Sequence, residues 1–133
     1  MILVDTSVWV EYLRATGSTA AVRLRHLLDG ELGQIAMCEP VAMEILAGAA
    51  DAHLAKLERL VNGLPSLRVE DAVDFRLAAQ MYRAARRSGH TIRSINDCLI
   101  AAVAMRHGAQ LMHRDADFEV IAQMTSLAAI SLR

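Results

Sequence analysis

The sequence is short of lysine, aromatic residues, cysteine and long apolar runs, and each shortage closes off a class of protein. A single lysine, Lys56, stands against 13 arginines. Aspartyl-phosphate enzymes and receiver domains use a strand-end aspartate as nucleophile and need a lysine just after a later strand. Lys56 falls inside a helical pattern instead, which weakens that alternative. Five aromatic residues, Trp9, Tyr12, Phe75, Tyr82 and Phe118, argue against a stacking platform for single-stranded nucleic acid. Cys38 and Cys98 lie far apart and form no Cys-x-x-Cys pair, so two reduced, buried thiols are expected rather than a disulfide. The histidines His26, His53, His90, His107 and His113 show no zinc-ligand spacing. The longest apolar stretch, Cys98 to Met105, is far short of the ~20 residues of a membrane span. The N-terminus lacks a basic region and Asp5 interrupts its apolar run, so no secretory signal is expected. A soluble, cytoplasmic protein is expected. Glycine-rich nucleotide signatures and a Gly-x-Ser-x-Gly elbow are missing. With a net charge of −1, no overall field draws the chain to nucleic acid or membrane.

What is present is apolar and periodic. The 133 residues are 54% hydrophobic, which suits one domain over residues 1–133 with apolar surface left for another subunit. Ile2-Leu3-Val4 reads as a short strand buried on both faces. Helices are expected from Thr6 to about Ala15, from Ser18 to Gly30, from Glu39-Pro40 to Gly48, from Asp51 to Asn62, from Asp71 to about Arg87, from Ser94 to His107 and from Asp117 to Met124. Between them lie strand candidates at Gln34–Met37, Ser66–Val69, Gln110–His113 and Ala128–Leu132. Strands alternating with helices indicate α/β with a central, mostly parallel sheet of four to five short strands flanked by helices.

The acids sit at the junctions of this map. Asp5 follows strand one, Asp97 lies in the first turn of a helix apolar nearly all round, and Asp115 and Asp117 follow the Gln110 strand. Glu44 stands in the helix after the second strand. Each has a structural account: Asp5 and Asp117 as helix caps, Ser94 with Asp97 as a capping box, Glu44 on a solvated stripe. Taken jointly, Asp5, Asp97 and Asp115 fall on one edge of the sheet, the edge where ligands bind in open α/β folds. Two carboxylates 4–5 Å apart repel by roughly 3–4 kcal/mol at an effective dielectric of 20. A converging set therefore needs a cation, and all-oxygen sites select Mg²⁺ or Mn²⁺.

Ile2-Leu3-Val4-Asp5-Thr6-Ser7, Glu44, Asn96-Asp97-Cys98-Leu99-Ile100-Ala101-Ala102 and Arg114-Asp115-Ala116-Asp117-Phe118, in this order and spacing, resemble the PIN-domain ribonucleases over essentially the whole chain. The nearest group is the VapC-type toxins of toxin–antitoxin pairs. The resemblance implies a three-layer PIN-like fold and a metal-binding pocket of Asp5, Glu44, Asp97 and Asp115, assisted by Asp117. It implies support of that pocket by Thr6 and Asn96, and Mg²⁺- or Mn²⁺-dependent endonucleolytic cleavage of RNA, with tRNA or a ribosomal RNA loop as the usual substrate. It further implies a homodimer, inhibition by a VapB-type antitoxin, and a heterotetramer or larger assembly with it. Many members carry Thr or Ser where this chain has His113, so His113 is assigned to substrate contact.

Arg76, Arg83, Arg86, Arg87 and Arg93 concentrate on the long helix and the loop after it. They form either a solvated face or a track for an RNA backbone. Arg93 and Arg114, closest in sequence to the acids, are candidates for phosphate contact or for ion pairs that hold the carboxylates. Trp9 and Tyr12 on the first helix are either core or part of an apolar groove for the antitoxin. A non-catalytic RNA-binding module of the same fold is the remaining alternative, and crowded like charges argue against it.

Overall fold

A computed structural model describes residues 1–30 and 33–133. Strand β1 (Ile2–Val4) lies at the centre of the sheet because its Leu3 and Val4 are apolar on both faces and fully buried. It pairs in parallel with β2 (Ile35–Ala36) on one side and β3 (Gln110–His113) on the other, and β4 (Ala129–Ser131) closes the order β2-β1-β3-β4. The register sets Val4 against Met112, and the Asp5 N–H donates to the Met112 carbonyl at 2.9 Å. Asp5 and His113 therefore leave the sheet side by side at its carboxyl edge.

The helices are α1 (Thr6–Leu13), α2 (Thr19–Asp29), α3 (Glu39–Ala47), α4 (Leu54–Asn62, after a short 3₁₀ turn at Asp51–His53), α5 (Asp74–Arg87), α6 (Ile95–Arg106) and α7 (Ala116–Met124). Asp5 and Ser18 cap α1 and α2 through their side chains, and Pro40 opens the first turn of α3. Helix α6 is the spine of the core: Cys98 and Ile100 to Ala104 are all buried, as expected for a helix apolar on every side. It packs against α5, which returns through a tight loop. Gly89, at φ +84°, takes the left-handed turn there, and the His90 N–H reaches back to the Ala85 carbonyl at 2.9 Å.

Three expectations are corrected. Residues 66–69 are not a strand: Ser66 makes one isolated bridge to Met37. Pro65 has no N–H, the Val69 N–H is taken by Glu39 Oε1, and the Arg68 carbonyl is taken by the side chain of Arg106, so no ladder propagates. Helix α5 begins at Asp74 rather than Asp71, because the Asp74 carboxylate accepts the Glu70 N–H at 2.8 Å and holds the preceding residues in turns; the apolar Val73 just before it is exposed. The capping box at Ser94 is not formed, as that side chain makes no cap bond. Asp97 is left free for another use. Both cysteines are free and buried, and burial pushes Cys38 up to about 12 and Cys98 to about 11. Neither is a thiolate nucleophile at neutral pH.

Candidate active site

The carboxyl edge gathers the acids. Asp97, buried in the first turn of α6, lies with Asp115 and Asp117 so that one oxygen of each falls within 4.8 Å of the others. Asp115 caps α7, accepting the Asp117 N–H at 2.9 Å on Oδ1, and the tight turn brings both carboxylates to the same side. Asp5 and Glu44 are not in this trio, but their charges act on Asp97. The expected four-acid cluster is thus a tight Asp97–Asp115–Asp117 group with Asp5 and Glu44 on its flank. Asp117 takes a more central place than an assisting role implies.

The electrostatics follow from burial and crowding. Desolvation, then the charges of Asp5, Asp115, Glu44 and Asp117, pushes the Asp97 carboxyl up to about 8. Burial also raises Asp5, against hydrogen bonds from Ser7 and with help from Glu44. Asp5 Oδ2 accepts the Ser7 N–H at 2.9 Å, whereas Asp5 Oδ1 is buried with no partner among the described residues. An orphaned carboxylate oxygen beside a crowd of acids is what a divalent cation would satisfy. The oxygen-only donor set fits Mg²⁺ or Mn²⁺. Asp97, Asp115 and Asp117 could hold such an ion directly, with Asp5 and Glu44 completing its surroundings.

The supporting residues divide. Thr6 Oγ1 donates to Glu44 Oε1 at 3.0 Å, as support of the pocket requires. Asn96 instead turns its amide toward the Pro40 carbonyl at 3.5 Å, tying α6 to α3. Arg93 lies on the acids: Nη2 meets Asp115 Oδ1 at 2.7 Å and Nε meets Asp117 Oδ2 at 3.3 Å. Arg114 pairs with Glu11. Both arginines thus take the ion-pair alternative rather than standing free for phosphate. Arg86 and Arg87 are exposed in the last turn of α5. Lys56 is exposed within α4, not at a strand end.

Two assignments are corrected by burial. His113 is fully enclosed: Nδ1 accepts the Asp115 N–H at 3.1 Å and the ring packs on Phe118 at 5.2 Å. It shapes the Asp115 turn from beneath and offers no surface to a substrate. Trp9 is also fully buried, edge-on to Tyr12 at 6.0 Å. Its ring lies inside the core, so Trp9 builds no groove. One contributor went unassigned in the sequence, Ser7. Its N–H holds Asp5 and its Oγ accepts the Arg114 N–H at 2.9 Å, pinning the turn of Asp115 to α1. The signal was a hydroxyl two residues past a strand-end aspartate.

A family model described as PIN domain matches residues 2–124. The chain is 69% identical over 134 aligned positions to Ribonuclease VapC11 of Mycobacterium tuberculosis and to VapC ribonuclease Mb1587 of Mycobacterium bovis, covering all of each chain. The chain belongs to the PIN-domain family. Within that family it is a ribonuclease of the VapC toxin type. The PIN fold is seen again in VapBC2 from Rickettsia felis, solved bound to a DNA fragment from its promoter, with a TM-score of 0.74 at 19% identity and full coverage of both chains. It recurs in VapBC-1 from nontypeable Haemophilus influenzae, with a TM-score of 0.75 at 16% identity over 99% of this chain and 98% of that one.

Proposed function

We propose that this PIN-domain toxin hydrolyses phosphodiesters of structured RNA, a tRNA or a ribosomal RNA loop, with a divalent cation held by Asp97, Asp115 and Asp117 and flanked by Asp5 and Glu44. The observation that carries this reading is the trio of carboxylates within 4.8 Å of one another beside the unpartnered Asp5 Oδ1. Mg²⁺ is the natural occupant and Mn²⁺ substitutes for it. When bound, such an ion lowers the pKa of a water and neutralises charge developing on the phosphodiester. The protein's own part is positioning. Thr6 orients Glu44, Ser7 orients Asp5 and the Asp115 turn, and Asp97, raised to about 8, would have to be ionised to hold the ion. Arg86 and Arg87 extend positive charge along the exposed end of α5, offsetting the repulsion between an acidic pocket and an RNA backbone. The scarcity of exposed aromatic side chains favours recognition of a folded shape over stacked single strands.

The relatives also support a partner. Several solved neighbours are VapBC toxin–antitoxin complexes, and the same arrangement is proposed here. The chain acts as a cytoplasmic homodimer and is neutralised in a heterotetramer or larger assembly by a VapB-type antitoxin. Among the described residues no helix is long and apolar enough to cross a membrane.

The test is incubation of the purified protein with total small RNA in Mg²⁺, Mn²⁺ or EDTA, followed by sequencing of the new ends. Discrete cuts in either metal, lost in EDTA and lost in Asp97→Asn, are expected. Cleavage that persists in EDTA, or undiminished in Asp97→Asn, overturns the assignment.

A further inference from the structure

The loop from Ser88 to Ser94 delivers one side chain, Arg93, onto two of the three clustered acids. Four donors converge there on two oxygens. Asp115 Oδ1 accepts Arg93 Nη2 at 2.7 Å and the Asp117 N–H at 2.9 Å. Asp117 Oδ2 accepts the Arg93 N–H at 3.0 Å and Arg93 Nε at 3.3 Å. The Arg93 side chain is 73% exposed while those of Asp115 and Asp117 are 19% and 13% exposed. The guanidinium therefore lies over the carboxylates from the solvent side, free to leave, while its backbone N–H stays anchored whatever the side chain does.

We propose that Arg93 is a built-in counter-ion that competes with the divalent cation, so that it sets the metal concentration at which the nuclease switches on. This rests on the reading of Asp97, Asp115 and Asp117 as the metal-holding group. Without metal, the crowded carboxylates of Asp115 and Asp117 need positive charge, and Arg93 supplies it to both through a fork that matches their geometry. A divalent ion entering the same trio meets oxygens already engaged and a cation that repels it. Binding must therefore displace the guanidinium, and the affinity for metal is lower by whatever that contact contributes. The acidic pocket stays intact when metal is scarce, and the enzyme loads only above a threshold.

A purely structural role for Arg93 and a counter-ion role predict opposite signs, which makes the test direct. Mn²⁺ binding is measured by isothermal titration calorimetry, without RNA, for wild type, Arg93→Gln, Arg93→Lys and Asp97→Asn. Two exposed ion pairs correspond to an affinity change of roughly fivefold. Arg93→Gln is expected to bind Mn²⁺ about that much more tightly, with Arg93→Lys in between. Thermal melts give the second readout. Arg93→Gln is expected to melt about 3–5 °C below wild type in EDTA, with the gap closing at saturating Mn²⁺. Equal or weaker Mn²⁺ binding by Arg93→Gln, with wild type binding and Asp97→Asn not, overturns the proposal and leaves the metal site standing. Indistinguishable Mn²⁺ binding by wild type and Asp97→Asn removes the metal site and the proposal with it.

Discussion

Thr6 Oγ1 donates a hydrogen bond to Glu44 Oε1 at 3.0 Å, joining the first residue of α1 to the middle of α3 across 38 positions of sequence. Without that bond a half-exposed glutamate on α3 has no reason to hold one rotamer at the acidic edge. Replacing Thr6 by Val keeps the shape and β-branch and removes only the donor. Thr6→Val is expected to lower RNA cleavage about ten- to a hundredfold, in line with losses at outer-shell partners of metal ligands. Its stability in urea should stay within about 1 kcal/mol of wild type. A large loss of stability with normal specific activity would assign Thr6 to structure alone.

The carboxyl of Asp97, pushed up to about 8 by burial and then by its acidic neighbours, ties both stability and metal binding to pH. Because its folded-state value lies above its unfolded one, folding favours the protonated form. The stability it contributes is complete below the ordinary carboxylate range and is lost as pH rises through about 8. In EDTA the thermal midpoint is expected to fall between about pH 5 and pH 8, and Asp97→Asn should flatten that slope and melt higher at the alkaline end. Divalent-ion affinity moves the other way. One proton must leave Asp97, so apparent Mn²⁺ affinity should rise about tenfold per pH unit until about pH 8 and then level off.

At the far end of α6, the partly exposed Arg106 pairs with the buried carboxylate of Asp74, away from the clustered acids. Its Nε and Nη2 meet the two oxygens of Asp74 at 2.8 and 3.0 Å, and Nη2 also donates to the Arg68 carbonyl. Burial on its own raises Asp74, but the Arg106 hydrogen bonds, the Glu70 N–H and the Arg106 charge outweigh it and hold the carboxyl below its ordinary value. Arg106→Met strands a fully buried carboxylate and should cost about 3 kcal/mol in urea denaturation. Adding Asp74→Leu should recover much of that loss. Specific cleavage activity of the folded variants should match wild type, since Arg106 lies roughly 13 Å along the helix from Asp97.

Trp9 offers a test of core against interface. Its ring is fully buried, so Trp9→Ala is expected to lose about 3–5 kcal/mol of folding stability, seen in urea melts before any partner is added. A variant that melts like wild type would return Trp9 to the surface.

The metal-like site and the fold were legible to different depths. Periodicity placed β1, α2, α3, α6 and β3 within a residue or two, because their apolar patterns and breakers agree. It failed at residues 66–69, where an apolar alternation looked like a strand. What decides that segment is long-range: Glu39 and Arg106 take its backbone groups, and no local pattern contains them. Likewise the start of α5 at Asp74 depends on a carboxylate bonding back to Glu70 and forward to Arg106.

Residue type and spacing alone determined that acids would stand at strand ends and helix starts, because an apolar strand followed by Asp and a helical pattern admits few other structures. Only the tertiary structure decided which of them meet. Parallel pairing of β1 with β3 brings Asp5 beside His113, the α5–α6 loop carries Arg93 onto Asp115 and Asp117, and enclosure withdraws His113 and Trp9 from the surface. Burial and cross-chain contact are properties of the packed chain, and no single segment encodes them.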